Sequence, residues 1–296
     1  MDASPRPGLR SDWLDRRVIA YAHQGGAWEA PSSTLHAIRA ALDAGATGIE
    51  LDVHATSDGY LVVSHDPTVD RTTNGSGNFA DLTLAEVQGL DNAYWWAPGA
   101  DVSPGLEPDR YPFRGRAPGD HDFRVATLEE VLEAFPGVVL NLDIKQTAPE
   151  VAPYEEALAD ILLRHGRQDD VMVASFLDRA TDAFSSFAPG IPTSAGTGAV
   201  AAFYQAVRAG EDPPPMHHAA LQVPATHAGV TLVDEQFVDA AHRAGMAVHV
   251  WTIDVETEMQ RLCDLGVDGI ITDLPTILVG VLDARSASWR PGANDS

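Results

Sequence analysis

Short apolar runs alternate along this chain with longer segments whose apolar residues recur at steps of three and four, the period of an amphipathic helix. Val18–Ala22 is apolar and rich in strand formers, which predicts a buried strand. Ser32-Ser33-Thr34 offers N-cap candidates, Leu35, Ile38, Ala41 and Leu42 follow at helical spacing, and Gly45 stands where a C′ glycine would. Gly48–Val53 predicts a second strand. The turn signal Ser57-Asp58-Gly59 and the short run Tyr60–Ser64 then predict a hairpin, because parallel strands need a dozen or more residues between them. The alternation resumes at Thr127–Phe135, a helix with Thr127 as cap and Glu130 at the capping-box position. Strands are predicted at Val138–Ile144, Val171–Phe176, Thr193–Gly196 (weak), Ala220–Val223, Ala247–Ile253 and Gly269–Thr272. Helices are predicted between and after them at Tyr154–His165, Leu177–Phe187, Ala199–Ala209, Asp234–Ala244, Val255–Leu265 and Thr276–Arg285. The tail WRPGANDS is expected to fray.

Setting the hairpin strand aside, eight strands remain, each but the last separated from the next by a helix or a longer insertion. Such a series predicts an α/β fold, a (β/α)₈ TIM barrel, spanning the 296 residues as one domain. An open doubly wound sheet is the alternative, but HQGGAW is not the G-x-G-x-x-G fingerprint that fold would favour. Residues 74–122 break the pattern as an insertion rich in Gly, Pro and Asp. Beyond the short helix candidate Thr83–Leu90 it shows no sustained period, and a long loop of this kind is functional or disordered.

The barrel gives meaning to what stands at the strand ends. His23 ends the first apolar run, Glu50 and Asp52 sit on the second, His65 and Asp66 end the hairpin strand, and Asp143 lies in LNLDIK. Active sites of such barrels form at the C-terminal ends of the strands. Glu50 and Asp52 are two apart and share a face, as do Asp143 and Lys145. Three carboxylates converging in one mouth call for a cation, and oxygen ligands suit Mg²⁺ or Ca²⁺. The competing reading is that the acids merely pair with Lys145 or an arginine. With a cation on the acids, His23 and His65 would flank a metal-bound anion as general acid and base.

Charge and composition narrow the partners. The formal net charge is −24, which opposes docking on nucleic acid or on anionic membranes and demands a local positive centre for any anionic substrate. Cys263 is the lone cysteine, so no internal disulfide forms, and neither an apolar leader nor a membrane-length apolar run occurs. A soluble cytoplasmic protein acting on a small molecule is expected, with no stable membrane association. Tyr94, Trp95 and Trp96 of the insertion either receive a choline or acyl chain or pack the insertion's own core. His54 and His249 are expected to be structural or rim-lining, and Asp273 to brace a turn. His217-His218, after three prolines, are expected in an exposed loop rather than at a metal site.

The residues resemble the glycerophosphodiester phosphodiesterase family. The similarity runs in order through AHQGG, EAPSSTLHAI, GIELDVHATSDGYLVVSHD, DRTTNGSG, FRVATLEEVL, LNLDIK, VASF, VHVWTID and GVDGIITDLP. It implies a TIM barrel that uses a divalent metal to hydrolyse glycerophosphodiesters, such as glycerophosphocholine or glycerophosphoethanolamine, to glycerol 3-phosphate and an alcohol. By position, His23 and His65 match the family's acid–base histidines and Glu50, Asp52 and Asp143 its metal ligands. Lys145 matches a lysine near the phosphate, and Trp251 a tryptophan of the pocket wall. Three departures stand out. Gln24 replaces the usual arginine, so it is expected to contact the phosphate without charge. Asp143 stands where glutamate is common, and PSST replaces PENT, leaving Glu29 as a stand-in. Two other functions fit the sequence: hydrolysis of lysophospholipids by a lysophospholipase D or sphingomyelinase-like activity, and non-catalytic binding of a phosphodiester, which Gln24 would permit.

Overall fold

The computed structural model describes residues 12–290. Eleven strands form: β1 Ile19–His23, β2 Gly48–Ala55, β3 Leu61–Val63, β4 Val139–Ile144, β5 Val171–Ala174, β6 Ser194–Ala195, β7 Ala220–Pro224, β8 Thr226–His227, β9 Val230–Thr231, β10 Ala247–Trp251 and β11 Gly269–Thr272. The α-helices are α1 Asp12–Asp15, α2 Leu35–Asp43, α3 Leu84–Gln88, α4 Leu128–Ala134, α5 Glu155–Arg164, α6 Asp178–Phe187, α7 Thr197–Ala209, α8 Glu235–Arg243, α9 Glu256–Leu265 and α10 Pro275–Ala284. None of them is long and apolar enough to cross a membrane.

Eight parallel strands follow one another round the sheet in the order β5-β4-β2-β1-β11-β10-β7-β6. The seam between β5 and β6 is held by one bridge, Val173 with Thr193, and by the Val173 amide donating to the Pro192 carbonyl at 2.9 Å. A nearly closed (β/α)₈ barrel results. The two-residue β6 is the weak strand of the sequence pattern, and it is what leaves the seam thin.

The two faces of each strand explain both the barrel and the site. Ile49, Leu51 and Val53 of β2 and Leu140, Leu142 and Ile144 of β4 point outward into an apolar layer with α2, α4 and α5. A second layer, built on Leu221, Val223, Val248, Val250 and Ile270, packs under α7 to α10. The barrel floor is filled by Ile19, Tyr21, Val139, Met172, Ala220, Ala247 and Ile271, with Trp13 of α1 packed against them. Tyr21 is so tightly held there that a Cβ on Gly48 would lie 2.6 Å from its ring, which is why β2 begins with glycine.

Local signals worked as expected at the helix ends. Thr34 caps α2 by accepting from the Ala37 amide, and Gly45 takes φ +102° behind it. Thr127 and Glu130 complete a reciprocal capping box on α4. Three features differ. The hairpin β8–β9 turns through Ala228 and Gly229 at φ +49° and +79°, and an alanine in that role carries no turn signal. Helix α1 precedes the first predicted element. At the start of the tail, Trp289 is tied down: its amide donates to the Val18 carbonyl at 3.1 Å, and Arg16 lies over its ring. The rest of the tail, 291–296, falls outside the described residues.

Residues 74–122 fold onto the barrel without entering its mouth. Arg114 is enclosed by Tyr94, Trp95 and Tyr111, with its guanidinium carbon 4.3, 4.8 and 3.5 Å from their centroids. Trp96 stacks on Phe113 and donates through Nε1 to the Ala27 carbonyl at 2.9 Å. The aromatic residues therefore serve the insertion's own packing, and none of Tyr94, Trp95 and Trp96 lines the cavity described below.

Candidate functional site

A cavity of about 710 Å³ opens at the C-terminal ends of the strands and is lined by His23, Glu50, Asp52, His65, Asp143, Lys145 and Trp251, among others. Strand register brings them together. His23 of β1 stands beside Glu50 of β2, and Asp52 of β2 beside Asp143 of β4. Each faces inward because its neighbours in sequence face the helices. His65 arrives by another route: β3 folds back antiparallel on β2, and the Ser64 amide donates to the Asp52 carbonyl at 3.0 Å. The two imidazole centroids are then 6.2 Å apart, with the rings at 81° to each other.

Each histidine is held from behind. His23 Nδ1 lies 2.7 Å from Asp273 Oδ1, at the end of β11. His65 Nδ1 lies 2.7 Å from Asp66 Oδ1, and Arg71 donates from Nε to Asp66 Oδ2 at 2.6 Å while also engaging Asp101. These carboxylates fix each ring with Nδ1 as donor and leave Nε2 as the nitrogen able to exchange a proton. Burial alone would lower the His23 pKa, but its hydrogen bond to Asp273 and the charges of Glu50, Asp273 and Asp52 outweigh it and raise the value to about 9. The hydrogen bond from His65, and then Arg71, take Asp66 down to about 2, so this orienting carboxylate stays ionised. Asp273 is thus more than the turn brace expected from its place after a strand. The signal for it was present, an acid ending the last strand beside the first. Asp66 and Arg71 lay inside quoted motifs without an assigned role.

The acids show what the cavity lacks. Lys145 Nζ lies 3.1 Å from Asp52 Oδ1 and 3.4 Å from Asp143 Oδ2, so the pairing considered as an alternative does form. It does not complete the set. Asp52 Oδ2 and Asp143 Oδ1 are buried and have no hydrogen-bond partner, and the nearest cationic group to Glu50 is His23, at 3.8 Å. Burial, then the Asp52 charge, lift Glu50 to about 8. Burial lifts Asp143 to about 6 against the opposing pull of Lys145, with Asp52 reinforcing the rise. Burial disfavours the Lys145 ammonium, yet Asp52, Asp143 and Glu50 hold its pKa above the ordinary lysine value. Orphaned carboxylate oxygens in a three-acid mouth fit a divalent cation bound by oxygen. The three acids are still spread out. Among the described residues, the only three His, Cys, Asp or Glu side chains with ligand atoms all within 4.8 Å of one another are Asp182, His217 and His218, elsewhere in the fold.

Gln24 and Trp251 take different places relative to the cavity. Gln24 is buried, takes φ +52°, and does not line the cavity. Its amide nitrogen sits 3.1 Å from His23 Nε2, its backbone amide donates to Glu50 Oε2 at 3.3 Å, and its Oε1 has no partner. Turned over, the amide would present Oε1 to a protonated Nε2, so this side chain can serve either charge state of His23. Trp251 lines the cavity and meets Phe176 edge to face at 5.4 Å. Beyond them the wall is apolar, with Val200, Ala201, Tyr204 and Leu232. His54 is buried, with Nε2 3.3 Å from the His65 carbonyl, and His249 is buried in the barrel between Trp13 and Tyr21. Glu29 accepts from the Thr276 amide and hydroxyl and does not line the cavity.

Comparison with known proteins gives the family. The model of the glycerophosphoryl diester phosphodiesterase family matches residues 23–277. The chain is 30% identical over 270 residues to a glycerophosphodiester phosphodiesterase of Caldanaerobacter subterraneus, covering 90% of this chain and 98% of the relative. It is also 30% identical over 273 residues to one from Bacillus subtilis, covering 88% and 85%. A phosphodiesterase of Oleispira antarctica, solved in complex with the product sn-glycerol-3-phosphate, superposes with a TM-score of 0.72 at 25% identity, over 92% of this chain and 100% of the other. The chain therefore belongs to the glycerophosphoryl diester phosphodiesterase family and is a phosphoric diester hydrolase.

Proposed function

We propose that the barrel mouth cleaves a glycerophosphodiester to glycerol 3-phosphate and an alcohol, with His23 and His65 as the general acid–base pair. The observation that carries this reading is the pair itself: two imidazoles 6.2 Å apart at one cavity, each with Nδ1 2.7 Å from a carboxylate. One Nε2 takes the proton of the attacking hydroxyl as its oxygen bonds to phosphorus, either from water, which gives glycerol 3-phosphate directly, or from the glycerol 2-hydroxyl, which gives a cyclic phosphate that a water then opens to glycerol 3-phosphate with the two histidines exchanging roles. The other gives a proton to the alkoxide released as the second P–O bond breaks. Lys145 contacts the phosphate, and Trp251 supports the bound alcohol. Glu50, Asp52 and Asp143 are the residues that would hold a divalent cation, Mg²⁺ or Ca²⁺, which would supply Lewis-acid neutralisation of the phosphate charge. Gln24 acts on His23 and Glu50 rather than on the phosphate, which leaves Lys145 as the cationic side chain lining the cavity. The lone Cys263 and the charge of −24 fit a cytoplasmic enzyme that meets small substrates.

The test is glycerol 3-phosphate release from glycerophosphocholine and glycerophosphoethanolamine. His23→Ala and His65→Ala should each lower kcat by at least about 10². EDTA should abolish turnover, and Mg²⁺ or Ca²⁺ should restore it. Turnover near wild type in both variants would reject the histidine scheme, and turnover unaffected by EDTA would reject the cation. Binding of the diester without turnover under any metal would favour the non-catalytic reading.

A second reading has its own support. The apolar wall of Phe176, Val200, Ala201, Tyr204, Leu232 and Trp251 can receive an aliphatic chain, so a lysophospholipid is a candidate substrate. If so, lysophosphatidylcholine should show the lower KM in direct competition with glycerophosphocholine, and Ala201→Glu should raise that KM while sparing the short substrate. Equal effects on both substrates would remove this reading.

A further inference from the structure

The proline-rich segment before β7 ends at His217-His218, and α6 brings Asp182 alongside. One ligand atom from each of these three side chains lies within 4.8 Å of the other two. The imidazole centroids are 4.0 Å apart with the rings tilted by 38°, and His217 Nε2 is 3.6 Å from Asp182 Oδ1. His218 is buried, and its Nδ1 lies 2.9 Å from the Thr193 hydroxyl, which orients the ring and leaves Nε2 unengaged. His217 and Asp182 have side chains 53% and 62% exposed, so the group opens to solvent on one side. None of the three lines the mouth cavity, and His218 precedes β7 at its N-terminal end, whereas the mouth lies at the C-terminal ends.

We propose that Asp182, His217 and His218 form a second metal site, for a borderline transition-metal dication such as Zn²⁺, Co²⁺ or Ni²⁺, which ties the segment before β7 to α6. Two imidazoles and one carboxylate are the donors such ions take, whereas Mg²⁺ and Ca²⁺ prefer all-oxygen sets. With His218 Nδ1–H donating to the Thr193 hydroxyl, the ring is oriented from behind and Nε2 is the nitrogen that can ligate, the arrangement outer contacts give to ligating histidines. Two rings this close gain little from each other, and a shared cation would turn their contact into joint ligation. Three protein ligands leave a further position to water.

The experiment uses the untagged full chain, stripped of metal, carrying Asp52→Asn and Asp143→Asn so that the mouth does not compete. Zn²⁺ binding is followed by calorimetry, and Co²⁺ binding by its visible absorption. One equivalent of each should bind, and Zn²⁺ at about a hundred times its Kd should raise Tm by at least about 3 °C. Mg²⁺ should produce neither effect. Adding Asp182→Asn and His217→Ala, both at exposed positions, should remove the equivalent and the Tm shift. The same flank changes in the otherwise unaltered enzyme should leave glycerophosphodiester turnover with Mg²⁺ unchanged. Zinc binding that persists with the flank changes, or no zinc binding before they are made, would overturn the site.

Discussion

In the proposed reaction, Asp273 is the residue that most fits His23 for proton transfer. Its Oδ1 holds Nδ1 at 2.7 Å, and it receives its own backbone support from Asp254, whose Oδ1 accepts from the Asp273 amide at 2.8 Å. Asp273→Asn would keep the shape and lose the charge. The ring could then turn or take the other tautomer, placing its proton on the wrong nitrogen for the cavity. We expect kcat to fall by at least about tenfold with KM little changed, and the pH–rate profile to shift because His23 loses the partner that raises its pKa. A parallel loss of folding stability with an unaltered profile would assign Asp273 to structure alone.

At the scale of elements, the barrel floor dictates how β1 and β2 may pair. Tyr21 and Gly48 are register partners, and a Cβ at position 48 would enter the tyrosine ring at 2.6 Å. The floor is filled by Tyr21 and its neighbours, so the ring has little room to yield. Gly48→Ala should therefore cost about 1–3 kcal/mol through overpacking, read as a lower midpoint in urea. Because Glu50 and Asp52 follow on the same strand, a register shift at its start would also displace the acids of the mouth. Stability unchanged by the substitution would show that the floor can relax.

Across the molecule, pH acts on folding through a histidine of the barrel interior that takes no part in the proposed chemistry. His249 is fully buried in the barrel, with Nε2 lacking a partner, and burial lowers its pKa from 6.5 to about 4. The folded value lies below the unfolded one, so between these two values the unfolded chain binds the extra proton. Stability is then complete above about pH 6.5 and falls as pH drops toward 4, by at most about 3 kcal/mol from this group. The urea midpoint measured from pH 7 to pH 4 should fall, and His249→Phe should flatten part of that slope whatever it does to the midpoint at pH 7. An identical slope in the variant would place the acid sensitivity elsewhere.

Elements whose apolar pattern closes locally were legible before any coordinates: the eight alternating units, the β2–β3 hairpin, the Thr34 and Thr127 caps, and Gly45. Each depends on neighbours a few residues away, and local period and cap chemistry decide them. The inward placement of Glu50, Asp52 and Asp143 was legible for the same reason, since side chains alternate along a strand. Partners distant in the chain were not. That Asp273 backs His23 follows from β11 closing against β1, and that Gln24 turns to His23 rather than to the cavity follows from a left-handed backbone at that position. The packing of Tyr94, Trp95 and Trp96 round Arg114 and Phe113, and the meeting of Asp182 with His217 and His218, likewise required tertiary contact. Sequence alone determined which residues each strand points into the barrel. Tertiary structure decided which of them meet, because contact between separate elements is set by the packing of the whole chain and leaves no period within any one of them.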